Sequence, residues 1–505
     1  MELWLLLILL LGLFTYFIVK RSVANLTRTP VWLLWLVLMT PVLVWSGWAV
    51  VNGDNPQTKP PALLLATFVV CPLLYLLLIQ GGRRDANPEV SKGSETNTQT
   101  SATGQTVPAA GGESTLRPIS KQEETDLRNC FPWGVYYLQN LEYRPQAVLC
   151  RGKLRTNPES AYKTVRENIE AEFGDRFFVI FQESFSGNPF FALVPNPQAQ
   201  TRTGRDTEPV TRPVLALGLL LITLFTTTLM GAQIAAGRPI PSEEISKLLS
   251  DPTWFLQGLP YALGLMTILS IHELGHYLAA RFYKMRTTLP YFIPVPFFLG
   301  TFGAFIQMRS PVPNRKALFD VGIAGPLAGF IVALPLLIWG LGHSSLVPLS
   351  DASGLLNVES LNPRFSFLLT LLSKLALGSE LTSKMAINLH PVAVAGYIGL
   401  VVTALNLMPV GQLDGGHIVH AMFGQRTGAT IGQITRLLVL VLSFRVPDLR
   451  FWAIILLFMP VADEPALNDV SELDNWRDLL GFLALVILVS ILLPAPAAIT
   501  GLLGI

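Results

Sequence analysis

The sequence predicts an α-helical polytopic membrane protein of about 8–10 spans, with a small soluble α+β domain inserted ahead of its main helical core. Three observations predict it. The chain has 505 residues, of which 51% are hydrophobic and only 14% charged, too apolar a balance for a large soluble enzyme. Apolar runs long enough to cross ~30 Å of hydrocarbon recur along it. One long polar insert interrupts them, and its second part alternates like a packed sheet. A net charge of +2 gives no basic excess to hold nucleic acid, so that partner class is set aside. The lipid bilayer is the partner that composition requires.

The apolar runs fall at residues 3–19, 31–51, 61–79, 213–231, 255–280, 319–341, 392–408, 431–444 and 480–503. A shorter run at 451–459 dips into the membrane or pairs with a neighbour. The first run is followed, not preceded, by Lys20 and Arg21, which reads as an uncleaved span rather than a signal peptide. No Arg/Ser-rich, acid-poor leader precedes it, so a bacterial membrane, plasma or thylakoid, is the default expectation. Basic clusters at Lys20/Arg21/Arg28, Arg83/Arg84, Arg202/Arg205/Arg212 and Arg281/Lys284/Arg286 all share one side if the spans alternate, and the positive-inside rule makes that side cytoplasmic. Residues 1–80 are thus N-terminal transmembrane helices, and 213–503 form the transmembrane core.

Residues 81–117 are rich in Ser, Thr, Gly, Asn and Gln and cannot bury enough apolar surface to fold, which makes them a disordered linker. From 118 to 200 the pattern changes. Strands are expected at 135–138, 147–150, 177–181 and 190–194, and a charged amphipathic helix at 158–173. Nothing in this soluble domain has catalytic spacing, so recognition, regulation or docking and a plain structural role all stay open. Cys71, Cys130 and Cys150 lack metal spacing and read as apolar packers, with a Cys130–Cys150 bridge as the alternative.

Chemistry concentrates in His272-Glu273-Leu274-Gly275-His276, inside the run at 255–280. On a helix, histidines four apart share a face, so two imidazoles can grip one Zn²⁺ while Glu273 reaches a metal-bound water. With only 6 histidines in the chain, such a pair flanking an acid is rare by chance. As mere packing residues they would leave three ionisable groups at lipid depth without a purpose. A catalytic zinc wants a third protein ligand, and Asp414 is the candidate. It follows a span that ends on the same side as His276, in a turn freed by Pro409, Gly411, Gly415 and Gly416.

His-Glu-x-x-His on one span and Asn406-x-x-Pro409 leading to Leu413-Asp414-Gly415 after another resemble the two signatures of the site-2 proteases, intramembrane zinc metalloproteases. The resemblance covers about residues 213–503. Gly300-Thr301-Phe302-Gly303, Gly325-Pro326-Leu327-Ala328-Gly329 and Ala466-Leu467-Asn468-Asp469 look most like the cyanobacterial and plant-plastid branch. It implies one Zn²⁺ per chain held by His272, His276 and Asp414, with Glu273 as the catalytic base. It also implies hydrolysis of single-span membrane protein substrates near the cytoplasmic face. Asn406 is a candidate for oxyanion or ligand support, with a helix–helix hydrogen bond as its bland alternative. Alternative functions are an inactive protease-like chaperone and a metal-binding transporter. The oligomeric state is not legible.

Residues 289–308 carry Pro290, Pro294, Pro296, Gly300 and Gly303, which would ruin a straight span, so they read as a re-entrant loop or hairpin against the catalytic helices. An unpaired strand edge there could capture an unwound substrate, a structural plug being the alternative. Gly322, Gly325 and Gly329 form a small-residue face suited to close helix packing. His417 and His420 form a second i, i+3 pair that competes weakly for metal, and His343 and His390 belong to the opposite face. The acidic stretch 463–478 reads as a solvated loop.

Overall fold

The computed structural model describes residues 29–52, 119–144, 147–184, 187–196, 212–236, 252–295, 299–350, 357–444, 449–460 and 463–505, with positions 12, 16, 67, 71, 74, 75 and 78. The linker expected at 81–117 lies outside them. The chain divides into two compact units, Met1–Ala109 and Ala110–Ile505. In the first, α1 (Val31–Asn52) is apolar throughout and contains Pro41. Leu34 is buried against Val31, Leu38, Tyr75 and Leu78, and the Thr29 hydroxyl donates to the Leu78 carbonyl at 2.8 Å.

The second unit opens with α2 (Lys121–Asn129), started by a reciprocal capping box between Ser120 and Glu123. β1 (Tyr136–Arg144) and β2 (Ala147–Leu154) form a hairpin, α3 (Pro158–Phe173) follows, and β3 (Phe177–Glu183) pairs with β4 (Pro189–Pro195). The antiparallel sheet has the order β1-β2-β4-β3, which leaves β3 at an edge. Ala161, Tyr162, Val165 and Ile169 line the buried face of α3, at the spacing of one helical stripe. Phe181 and Phe191 stack at 4.2 Å beneath it, and Tyr136 meets Phe191 edge-on at 5.0 Å. Cys130 and Cys150 are buried free thiols in this core, so the bridge does not form.

The remainder is mostly helical: α4 (Pro213–Ala236), α5 (Leu259–Phe282), α6 (Arg315–Gly342), α7 (Phe367–Leu377), α8 (Pro391–Asn406), α9 (Asp414–Phe423), α10 (Gln425–Ser443), α11 (Arg450–Phe458), α12 (Asn475–Leu492) and α13 (Ala497–Leu503). Among the described residues, α4, α6 and α12 are long and apolar enough to cross a membrane. Between α5 and α6 a hairpin forms from β5 (Tyr291–Pro294) and β6 (Thr301–Phe305). A further pair, β7 (Ser345–Pro348) and β8 (Met385–Asn388), lies between α6 and α8.

Small residues set the helix spacing. A Cβ on Gly275 would come within 2.5 Å of the Ala324 carbonyl, and one on Gly340 within 2.3 Å of the Ala393 amide. Thus α5, α6 and α8 approach almost backbone to backbone, as glycine stripes permit. The acidic stretch from 463 is not a solvated loop: Asp463, Asn468, Asp469, Val470 and Ser471 are buried. Charge count suggested solvation, but each carboxylate that goes inside finds a histidine, and two backbone ladders cover the segment.

Candidate metal centre

α5 presents His272, Glu273 and His276 on adjoining positions, all three at least nine-tenths buried. Gly258 and Pro260 start the helix, and Gly258 sits so close to α4 that a Cβ would meet the Thr228 carbonyl at 2.0 Å. Asp414 arrives from elsewhere in the chain. After α8 ends at Asn406, the backbone turns at Pro409 and Gly411, the latter at φ 52°, and α9 begins at Asp414 itself. The turn folds onto its own backbone: a Cβ on Gly415 would lie 2.0 Å from the Leu407 carbonyl, and one on Gly416 2.1 Å from that of Gly411. Those two glycines let the carboxylate swing inward.

The three side chains converge. Asp414 Oδ2 lies 3.3 Å from His276 Nε2 and 3.6 Å from His272 Nε2, and the two imidazole nitrogens are 3.1 Å apart. Among the described residues, these three form the cluster of donor atoms able to hold a metal, all within 4.8 Å of one another. His276 Nδ1 donates to the Val321 carbonyl at 2.7 Å, which leaves the Nε2 lone pair facing Asp414. Asn406 Nδ2 stands 3.2 Å from His272 Nε2. The backbone amide of Ile306, just beyond β6, faces the Glu273 carboxylate, so the hairpin reaches this centre.

The donor set fits a zinc ion: two imidazoles and a carboxylate, with room kept by absent side chains. A Cβ on Gly325 would fall 2.1 Å from His276 Nε2, and one on Gly329 3.2 Å from His272 Cβ. The small-residue face of α6, read as packing alone, is therefore the wall against which both histidines lie. His417 and His420 do not join the centre. They point to Asp463, whose Oδ2 receives His417 Nδ1 at 2.7 Å and His420 Nδ1 at 2.9 Å. His343 and His390 cluster with Trp339, away from it. Sequence reasoning missed Val321, Gly325 and Ile306 as neighbours of the centre. For Gly325 a signal existed, since small residues at 322, 325 and 329 share a helical face as His272 and His276 do.

Comparison with known proteins shows what this chain resembles. Residues 260–445 match the family description Peptidase family M50. Two Arabidopsis thaliana proteins are similar along most of the chain. One, "Probable zinc metalloprotease EGY1, chloroplastic", is 32% identical over 374 residues, 69% of this chain and 66% of that protein. The other, "Probable zinc metalloprotease EGY2, chloroplastic", is 30% identical over 380 residues, 74% of this chain and 64% of its own length. The rice (Oryza sativa subsp. japonica) EGY1 protein is 31% identical over 356 residues, 66% of this chain and 60% of its own. The match thus spans slightly less than two thirds of each relative. The chloroplastic descriptions of these relatives overturn the expectation of a bacterial membrane. That expectation rested on the residues ahead of the first apolar run, which carry no physical information about the compartment. From the matched core and the strength of these likenesses, residues 260–445 carry a domain of peptidase family M50, the site-2 proteases, in a chain similar to plant zinc metalloproteases described as chloroplastic.

Proposed function

We propose that the chain is an intramembrane zinc metalloendopeptidase that hydrolyses peptide bonds of single-span membrane proteins. The observation that carries the reading is the convergence of His272, His276 and Asp414 beside Glu273 within a buried, helix-walled space. His272, His276 and Asp414 would hold one Zn²⁺ per chain, and the ion when bound would polarise the scissile carbonyl and acidify a water. Glu273, one step round α5 from His272, takes the proton of the attacking water and returns it to the leaving amine. Asn406, beside His272, either donates to the oxyanion or steadies that imidazole.

The reading extends to the architecture. We take the chain as crossing the bilayer about 8–10 times, with N-terminal spans in 1–80, a linker at 81–117, the soluble module at 118–200 and the protease core at 213–503. The hairpin β5–β6, within 289–308, is its re-entrant segment, packed beside Glu273. Burial of the centre among helices suits a substrate that arrives from the lipid rather than from water.

A reconstituted cleavage assay on a tagged single-span substrate, comparing the native chain with Glu273→Ala, tests the reading. We expect cleavage to fall by at least ~10²–10⁴-fold, the usual worth of a positioned general base, while zinc stays bound. Equal cleavage by Glu273→Ala would sink it.

A further inference from the structure

A second cluster of ionisable groups lies outside the metal centre, where α9 meets the segment 463–471. His420 is 1% exposed, Asp463 7% and Asp469 8%. His420 Nδ1 is 2.9 Å from Asp463 Oδ2, and its Nε2 is 2.9 Å from Asp469 Oδ1. With a carboxylate on each ring nitrogen, both must donate, so the ring is an imidazolium. His417, one turn earlier on the same helix, shares the Asp463 oxygen at 2.7 Å.

The same segment is stitched on two sides. The Phe181 amide, on the edge strand β3 of the soluble module, donates to the Leu467 carbonyl at 2.7 Å, and the Asp469 amide donates back to the Phe181 carbonyl at 2.9 Å. On the other side, the Leu467 amide donates to the Val312 carbonyl at 2.9 Å and that of Asn468 to Pro313 at 3.1 Å. Two residues later α6 begins, the helix that walls the two metal-site histidines. Backbone pairing therefore runs from the module through the segment to α6, and the His–Asp pairs join that segment to α9, whose first residue is Asp414.

We infer that His420, clamped between Asp463 and Asp469, is a positioning residue that couples the soluble module to the turn carrying Asp414. The reading of Asp414 as a metal ligand, proposed above, underlies the functional half of this coupling. The charged groups facing His420 are Asp463 and Asp469 from the segment, His417 on its own helix, and Arg315 of α6, whose Nε donates to the Ala421 carbonyl at 2.8 Å. From α10, Gly428 comes close enough that a Cβ would meet His420 Cα at 3.1 Å, and Gln425 Nε2 donates to the Asp463 carbonyl at 2.9 Å. Burial alone would depress the His420 pKa, but Asp463 and Asp469 outweigh it and lift it to about 9. A raised histidine stabilises fully below its unfolded value of ~6.5 and loses that contribution as pH climbs through the raised one.

Hydrogen exchange of the full chain in detergent micelles tests the coupling, on a Glu273→Ala background so that no cleavage is required. Protection of 177–183, 463–471 and 408–416, corrected for intrinsic rates, should fall together as pH rises through about 9. His420→Gln, which cannot carry the charge, should lower protection roughly 10-fold in all three segments at neutral pH and abolish the titration. It should also lower bound zinc. Asp469→Asn keeps the shape and should move the midpoint down by about one pH unit. A native-like profile in His420→Gln, or loss confined to 463–471 with 408–416 unmoved, would overturn the coupling, as would an unmoved midpoint in Asp469→Asn. Absence of zinc from the Glu273→Ala reference would count against the metal reading instead, and the exchange data would still decide the coupling.

Discussion

A Cβ placed on Gly325 would stand 2.1 Å from His276 Nε2, the nitrogen that faces Asp414. No rotamer change of alanine can relieve that contact, because the clash is with Cβ itself. Either α6 moves away from α5 or the imidazole swings off the metal position. Gly325→Ala should therefore lose zinc affinity by at least about 10–100-fold, the range seen when a ligand is merely misoriented. Metal analysis of the purified protein checks it. Gly342→Ala, where a Cβ meets nothing within 4 Å, is the matched control and should keep its zinc.

Asn406 separates two roles by kinetics. If its amide donates to the oxyanion, Asn406→Ala keeps zinc and lowers kcat by about 10²–10³-fold, as for other single-donor losses. If it only steadies His272, from which it lies 3.2 Å, zinc affinity falls alongside kcat. We expect the first pattern, since the last turn of α8 puts the amide beside the centre without being one of its three donors. Parallel zinc titration and steady-state cleavage distinguish the two.

The hairpin is seated by one glycine. Gly300 has φ 82°, its carbonyl accepts the Thr226 hydroxyl at 2.6 Å, and a Cβ there would lie 2.5 Å from Thr227 Cα. Gly300→Ala combines left-handed strain with a backbone clash and should lift β5–β6 off α4. Because Ile306 at the end of this hairpin faces Glu273, cleavage should fall while zinc is retained. Faster proteolytic nicking between 289 and 308 would report the displacement directly, and an unchanged digest would refute it.

How far the sequence reaches is visible in these residues. His272, Glu273 and His276 are legible because helical periodicity alone sets their relation, and the turn at Asp414 is legible because Pro409 and the glycines after it leave few backbone options. The strands of the four-stranded sheet follow from alternation. What stayed hidden depends on tertiary partners. Gly325 looked like packing because its neighbour was unknown, and Asp463 and Asp469 looked solvated because acid-rich text usually is. Their burial is made possible by His417 and His420, more than 40 positions away, and no local pattern links the two pairs. The membrane system likewise lay outside anything periodicity or charge could show.

The thiols of the four-stranded sheet region offer a test of its interior. Cys130 Sγ donates to the Asp126 carbonyl at 3.3 Å, and burial, with Glu172 and Asp126 nearby, pushes its pKa up to about 11. Cys150, on β2 beneath Tyr136, is wholly buried, and burial raises its thiol further still. Thiolate is the reactive form, so a pKa near 11 against an ordinary ~8.5 leaves about 300-fold less of it at any pH below both. Burial then denies the reagent access to what remains. Iodoacetamide at pH 8 should leave both cysteines unlabelled in the folded chain for hours and label both at once in denaturant. Mass spectrometry of the peptides containing them reads the outcome. Rapid labelling of Cys150 in the native protein would mean that β2 and β4 part readily. In that case the stacked Phe181 and Phe191 would not hold this edge of the module shut against the segment it pairs with.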